Sequence, residues 1–135
     1  MYLIDTSAWV EFFRHTGSEA DETVAVLIRT YPTQLRGCPP VRMELALDQN
    51  DLRRRRVLDV YDGFENAGAQ TTDYEVAADI FRATRSIGHT PRTLLDCLVA
   101  AVALRVEATV VHHDVDFDRM AAAVPLLSVL RSPTG

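Results

Sequence analysis

The sequence contains no lysine, and all 14 of its basic residues are arginine. A P-loop, a Schiff-base enzyme and a lysine general base all need the missing ammonium group, so these mechanisms are excluded. Cysteine is also scarce, since Cys38 and Cys97 stand far apart without the spacing of a zinc site or a disulfide framework. We therefore expect any phosphate contact to use arginine, backbone amides or a metal ion.

Long apolar runs are missing as well. No stretch approaches the roughly 18 to 20 apolar residues that a membrane span requires, and Asp5 interrupts the apolar run near the N-terminus. The 135 residues, with a hydrophobic content of 47%, suit one globular domain over 1–135, with a loose tail from about residue 131. These features predict a cytoplasmic protein without a membrane partner.

Short apolar runs alternate with segments of helical periodicity along the whole chain. Strands are predicted at Tyr2–Ile4, Gln34–Cys38, Ala69–Thr72, Thr109–Val111 and Leu126–Leu130. Helices are predicted from Thr6, from Ser18 to about Arg29, from Pro39, from Asp51 to about Phe64, from Asp73 to about Gly88, from about Arg92 to Val106, and over Met120–Ala123. This alternation predicts an α/β fold, a three-layer α/β/α sandwich with a central, mainly parallel sheet of about four to five strands.

Asp96 is the most informative residue of the sequence. It is the only polar residue among the eleven from Leu94 to Leu104. A helix that is apolar all round its axis is buried, and a buried carboxylate is prohibitive unless it is neutralised, paired or bound to a metal. Asp96 therefore needs a cation or a proton.

Three further acids fall at positions where functional groups gather. Asp5 and Asp114 each follow a predicted central strand, and Glu44 lies near the start of an apolar-faced helix. Each of them taken alone is about as well explained as a helix cap or turn residue. Together, oxygen ligands without cysteine suit Mg²⁺ or Mn²⁺, and one or two such ions can support hydrolysis of a phosphodiester.

The net charge of −5 is unusual for a protein that binds nucleic acid, because phosphate affinity depends largely on basic residues. The charges are segregated, however. Arg53, Arg54, Arg55 and Arg56 form an unbroken basic run on one predicted helix. The run is a candidate contact for RNA phosphates or for a protein partner, although such runs are usually only a solvated helix face.

Four motifs in order make the sequence resemble a PIN domain over nearly its whole length: LIDTSAWVEFF at the N-terminus, Glu44 in VRMELAL, Asp96 in DCLVAAVAL, and HHDVDFDRMA. More narrowly, it is similar to the VapC-like toxins of bacterial type II toxin–antitoxin modules. The resemblance implies a Mg²⁺- or Mn²⁺-dependent endoribonuclease that acts on tRNA or other structured RNA in the bacterial cytoplasm. It also implies a homodimer and a small antitoxin that covers the acidic site, often with a basic side chain. A catalytically degenerate PIN domain that only binds RNA or protein, and a housekeeping PIN nuclease, remain as alternatives.

The resemblance assigns roles to particular residues. Asp5, Glu44, Asp96 and Asp114 match the catalytic acids of the family, and Asp116 matches a frequent fifth acid, so Asp5, Asp96, Asp114 and Asp116 are the expected metal ligands. Thr6 and Ser7 match hydroxyl residues that can orient the first acid, although helix capping explains them equally well.

Two features near these acids stay open. Arg92, one turn before Asp96, is a candidate phosphate contact, and a solvated helix start is the alternative. His112 stands where many relatives of the family have a hydroxyl residue. We therefore leave His112 and His113 out of the metal site and expect them to be structural.

Overall fold

The computed structural model describes residues 1–131. Five strands form one parallel sheet in this part of the chain: β1 Tyr2–Ile4, β2 Leu35–Gly37, β3 Glu65–Asn66, β4 Thr109–His112 and β5 Val129–Arg131. Seven α-helices flank it: α1 Thr6–Phe13, α2 Glu19–Thr30, α3 Pro39–Leu45, α4 Asp51–Tyr61, α5 Thr71–Ser86, α6 Leu94–Arg105 and α7 Val115–Ala123. The predicted α/β fold with a parallel central sheet is confirmed.

The order of the strands is β3-β2-β1-β4-β5. The chain thus moves outward from β1 through β2 to β3, then crosses to the other side of β1 to form β4 and β5. Right-handed crossovers in opposite directions place α1 to α4 on one face of the sheet and α5 to α7 on the other. The direction changes between β1 and β4, and the crevice at such a switch point is where open α/β sheets bind ligands.

The positions of β1 and α6 in the core account for their apolar sequences. Leu3 and Ile4 of β1 are fully buried, as are Val99 and Val102 of α6. Parallel strands covered on both faces and helices enclosed on all sides bury continuous apolar runs. No helix within residues 1–131 is long and apolar enough to cross a membrane.

One predicted strand is wrong. The third strand is Glu65–Asn66 rather than Ala69–Thr72, because Thr71 already begins α5 after a capping box in which the backbone N–H of Gln70 donates to Asp73. The real strand consists of two exposed residues at the edge of the sheet, so it carries no apolar pattern that a sequence could reveal.

Several element ends also differ from prediction. Helix α4 ends at Tyr61 rather than near Phe64, α6 begins at Leu94 rather than Arg92, and α7 already begins at Val115. The last strand is Val129–Arg131 rather than Leu126–Leu130. The predicted loose tail from about residue 131 lies, beyond Arg131 itself, outside the described residues.

Candidate active site

Asp5 lies at the switch point of the sheet, immediately after β1. Its backbone N–H donates to the carbonyl of Val111 in β4 at 2.8 Å, which fixes the two strand ends side by side. Its carboxylate caps α1, where Oδ2 accepts from the backbone N–H of Ser7 at 2.9 Å and from the Ser7 hydroxyl at 2.7 Å. Oδ1 is buried and has no hydrogen-bond partner among the described residues.

Burial changes the protonation of Asp5. Loss of solvent raises the pKa of this carboxyl to about 6, although the hydrogen bonds from Ser7 oppose the shift. The nearby charge of Glu44 raises the pKa further. One oxygen of Asp5 has no hydrogen-bond partner among the described residues, and a second acid lies beside it. A cation would therefore stabilise the ionised form of this buried carboxylate.

Glu44 reaches the same place from α3. Pro39 and Pro40 start this helix directly after β2, since proline fits the first helical turn, where its missing N–H is not needed. The Thr6 hydroxyl donates to Glu44 Oε1 at 2.8 Å, so the first residue of α1 holds the acid that α3 supplies.

Asp96 completes this group from the first turn of α6. Thr93 caps the helix by accepting from the backbone N–H of Asp96 at 3.1 Å. Only 8% of Asp96 is exposed, and burial raises its pKa to about 7, with further contributions from the charges of Asp5, Asp114, Glu44 and Asp116. The predicted burial of this carboxylate is confirmed.

Asp5, Glu44 and Asp96 each offer an oxygen, and these oxygens all lie within 4.8 Å of one another. No arginine whose side chain the structure describes forms an ion pair with any of the three. Three hard oxygen donors, one of them buried without a partner, fit a divalent cation. We call these residues the first carboxylate group.

Asp96 also belongs to a second carboxylate group with Asp114 and Asp116, whose oxygens meet the same 4.8 Å limit. Asp114 caps α7, and its Oδ1 accepts from the backbone N–H of Asp116 at 2.9 Å. The five acids named from the sequence are therefore brought together at one end of the sheet, as two groups that share Asp96.

The second carboxylate group already holds a cation from the chain itself. Arg92 donates from Nη2 to Asp114 at 2.5 Å and from Nε to Asp116 at 3.2 Å, and its backbone N–H donates to Asp116 at 2.9 Å. Arg119 lies 3.5 Å from the other oxygen of Asp116. Arg92 is therefore part of the site. Its guanidinium pairs with two carboxylates, while much of its side chain stays exposed to solvent.

The two histidines contact Asp114 and Ser7, which belong to or support the acids of the site. His112 is buried against Phe117, and its Nδ1 accepts from the backbone N–H of Asp114 at 3.1 Å. The backbone N–H of His113 donates to the Ser7 hydroxyl at 2.9 Å, which links the ends of β4 and β1. These contacts position the acids.

The basic run lies on α4, and within the described residues it forms no ion pair with the five acids of the site. Arg53 pairs with Asp48, and Arg54 pairs with Asp51. Arg53 and Arg56 line a groove of about 980 Å³ between α1, α3 and α4. Its wall includes Thr6 and Glu44 of the site and several apolar side chains, among them Val10, Phe13, Leu45, Leu47, Leu52, Val57 and Val60.

Two features of the site were not predicted from the sequence. The pairing of Arg92 with Asp114 and Asp116 joins the loop before α6 to the start of α7, and no local sequence pattern predicts such a contact. Arg119 could have been found, because it follows Asp116 at the i,i+3 spacing that places two side chains of a helix together.

The fold agrees with comparison to known families. The model of the PIN domain family matches residues 2–123, and the chain belongs to that family. Two ribonucleases are 42% identical to it over 125 residues, which cover 90% of this chain and 92% of theirs: VapC ribonuclease Mb1587 of Mycobacterium bovis and ribonuclease VapC11 of Mycobacterium tuberculosis.

Solved structures share the fold. A DNA-bound VapBC from Salmonella typhimurium has a TM-score of 0.73 at 16% identity, covering 96% of each chain. VapBC2 from Rickettsia felis, bound to a promoter fragment, has a TM-score of 0.71 at 16% identity, over 96% of this chain and 97% of that one. VapC20 of Mycobacterium tuberculosis, described as a toxin that cleaves the sarcin–ricin loop, has a TM-score of 0.65 at 16% identity, over 92% and 95%.

Proposed function

We propose that this chain is a metal-dependent endoribonuclease that hydrolyses phosphodiester bonds in structured RNA, and that it acts in the bacterial cytoplasm as the toxin of a type II toxin–antitoxin pair. The observation that carries the proposal is the first carboxylate group, in which Asp5, Glu44 and Asp96 converge without a basic partner among the described side chains. The 42% identity to VapC ribonucleases supports RNA as the substrate.

The ion proposed for this group is Mg²⁺ or Mn²⁺. Both prefer carboxylate oxygens, and Mg²⁺ leaves part of its shell to water and substrate phosphate. Asp5, Glu44 and Asp96 would hold it, whereas Asp114 and Asp116, which the family resemblance makes ligands, would lie next to it. Once bound, a divalent ion neutralises charge on the phosphate and makes water a stronger nucleophile at neutral pH.

Two hydroxyl side chains of this protein hold the acids in position. Ser7 holds one oxygen of Asp5, so that the other points into the group, and Thr6 does the same for Glu44. Locked rotamers of this kind keep acidic groups in a productive geometry. Burial raises the pKa of Asp5 to about 6 and that of Asp96 to about 7, so a nearby cation would favour the ionised forms that bind it.

The groove beside Glu44 supports the second half of the proposal. Its apolar wall and its three arginines, Arg14, Arg53 and Arg56, suit an amphipathic segment of an antitoxin with acidic and apolar side chains. A basic residue at the end of that segment would complement the carboxylates. Homodimer formation and a toxin–antitoxin hetero-oligomer belong to the same proposal.

RNA cleavage by the purified chain tests the enzymatic function. We expect cleavage with Mg²⁺ or Mn²⁺, none in EDTA, and at least a 100-fold loss in Asp5→Asn or Asp96→Asn. The matched control is Asp79→Asn, an exposed aspartate of α5 that pairs with Arg82 and should retain activity. Metal-independent cleavage that survives both active-site substitutions would contradict the proposed metal-dependent mechanism.

The alternatives give different results in the same experiment. A degenerate PIN domain binds RNA without cutting it, so it shows no cleavage under any metal condition. A housekeeping nuclease cleaves RNA but has no inhibiting partner. A short reading frame upstream, with a DNA-binding start and a basic tail, favours the toxin, and its product should block cleavage when added in equal amount.

Two neighbouring arginines form a matched pair for the groove. Arg56 lines it, whereas Arg55 is on the same helix and does not. We expect Arg56→Ala to weaken binding of the upstream gene product at least several-fold in calorimetry, and Arg55→Ala to leave it unchanged. Equal effects of the two variants would show that the basic run attracts the partner by its charge alone and not through the groove.

A further inference from the structure

The second carboxylate group has few oxygens left for a metal ion. Oδ1 of Asp114 accepts from Arg92 and from the backbone of Asp116, and Oδ2 of Asp116 accepts twice from Arg92. Oδ1 of Asp116 faces Arg119 at 3.5 Å. A divalent ion in this group would therefore have to displace a guanidinium that already neutralises the same acids.

The first carboxylate group is different. Ser7 donates to Asp5 and the Thr6 hydroxyl donates to Glu44, but none of the three acids forms an ion pair with any arginine whose side chain the structure describes. The two groups share Asp96 and lie side by side, so a guanidinium in one and a metal ion in the other would stand as neighbouring cations. Charge repulsion disfavours a second metal ion beside Arg92.

We propose that Arg92 is the built-in second cation of this centre, so that the chain without RNA binds one divalent ion at Asp5, Glu44 and Asp96 and none at the second carboxylate group. The inference rests on the proposed metal-dependent function and deepens it. It makes Arg92 a fixed cation that keeps Asp114 and Asp116 in place.

The same geometry leaves Arg92 able to contact substrate. Its side chain is 67% exposed, and Nη1 makes no hydrogen bond with the described residues. A guanidinium has five N–H donors in a planar fork, so one edge can hold the carboxylates while another meets an RNA phosphate. Arg92 then supplies at the second position the charge that a second metal ion supplies in two-metal nucleases.

Counting bound Mn²⁺ tests the inference without RNA. The whole chain is titrated with MnCl₂ at pH 8, and free Mn²⁺ is followed by electron paramagnetic resonance. We expect one ion per chain for the wild type and two for Arg92→Gln, which keeps polarity but removes charge. Asp116→Asn added to Arg92→Gln should return the count to one. Arg82→Gln, which removes an exposed arginine of α5, should leave it at one.

Each outcome decides the inference. Two ions in the wild type overturn it, and so does a single ion in Arg92→Gln that retains the wild-type circular dichroism spectrum. If Arg92→Gln does not fold, Arg92→Met removes the charge in an apolar side chain of similar length and is read in the same way. No bound Mn²⁺ in any variant contradicts the proposed metal-dependent function itself, whereas an unchanged count of one contradicts only the role of Arg92.

Discussion

The hydroxyl of Thr6 and the carboxylate of Glu44 are joined by a hydrogen bond of 2.8 Å between Thr6 Oγ and Glu44 Oε1. Thr6 is the first residue of α1, and Glu44 lies in the last turn of α3, so this contact sets the distance between two elements that carry acids of the site. Asp5 precedes Thr6 directly. The contact therefore couples the first acid of the chain to the second.

Thr6→Val should reduce both metal affinity and RNA cleavage by roughly 10- to 100-fold, the usual range when a hydrogen bond to a metal ligand is lost. Valine has nearly the same shape but cannot donate to Glu44. Calorimetry with Mn²⁺ and a cleavage rate assay measure the two effects. Thr6→Ser keeps the donor and should stay near the wild type, and equal losses in both variants would contradict this role of the hydroxyl.

The metal-free protein should lose stability as the pH rises from 5 to 8. Burial raises the pKa of Asp5 to about 6 and that of Asp96 to about 7 from 3.8, so the folded protein keeps protons that the unfolded chain has released. The stability they contribute is fully present below pH 4, falls as the pH rises from 4 through 6 and 7, and levels off above these folded-state pKa values. Urea unfolding in EDTA at several pH values measures this slope.

Asp96→Asn should flatten the same slope. The amide is neutral at every pH, so at pH 8 the metal-free variant should be more stable than the wild type by roughly 2 to 4 kcal/mol, from about 1.4 kcal/mol per pKa unit. At pH 4 the difference should nearly vanish. A variant that is less stable than the wild type at pH 8 would show that Asp96 is neutralised by some other group.

Divalent metal should raise the melting temperature, and more so at pH 8 than at pH 5, because protons and metal compete for Asp5 and Asp96. A concentration of 100 times the dissociation constant stabilises a folded protein by about 2.7 kcal/mol, or roughly 8 to 12 °C for a domain of this size. Differential scanning fluorimetry with and without MnCl₂ measures the shift. Asp5→Asn should show little of it.

Arg105→Met should destabilise the protein without changing the activity of the folded fraction. Arg105, the last residue of α6, donates to both oxygens of buried Asp73 at 3.0 and 3.1 Å and to the carbonyls of Ala67 and Gly68. Breaking a buried pair costs roughly 3 to 5 kcal/mol. Since 23% of the Arg105 side chain is exposed, we expect about 2 to 3 kcal/mol in urea unfolding.

A surface pair on α5 provides the comparison. Arg82 and Asp79 lie on one helix with both side chains largely exposed, so Arg82→Met should change stability little. If both methionine variants lost the same amount of stability, the loss would reflect helix propensity rather than the pairing of Arg105 with the buried carboxylate of Asp73.

The sequence was informative where burial and chain direction act together. Asp96 stands alone in an apolar helix, so its burial followed from composition, and the structure confirms it. Asp5 and Asp114 follow strands of a parallel sheet, and parallel strands deliver their carboxyl ends to one edge. Periodicity and placement were sufficient for these three acids.

The misplaced third strand and the pairing of Arg92 had no such signal. The edge strand Glu65–Asn66 is short and exposed, so it has neither length nor apolar alternation. The contacts of Arg92 depend on how the loop before α6 passes the start of α7, which is settled by tertiary packing. A solvated helix start was the sequence-based alternative for Arg92, and Leu94 rather than Arg92 begins the helix.

The place of β1 between β2 and β4 has a consequence for synthesis of the chain. The first strand made is the central one, and its partner β4 is among the last. Asp5 therefore leaves the ribosome well before Asp96, Asp114 and Asp116, and it meets them only after β4 has been made. A product that terminates before Asp96 lacks a working centre, so the ribosome that makes this protein is not exposed to the nuclease while only the earlier elements have been translated.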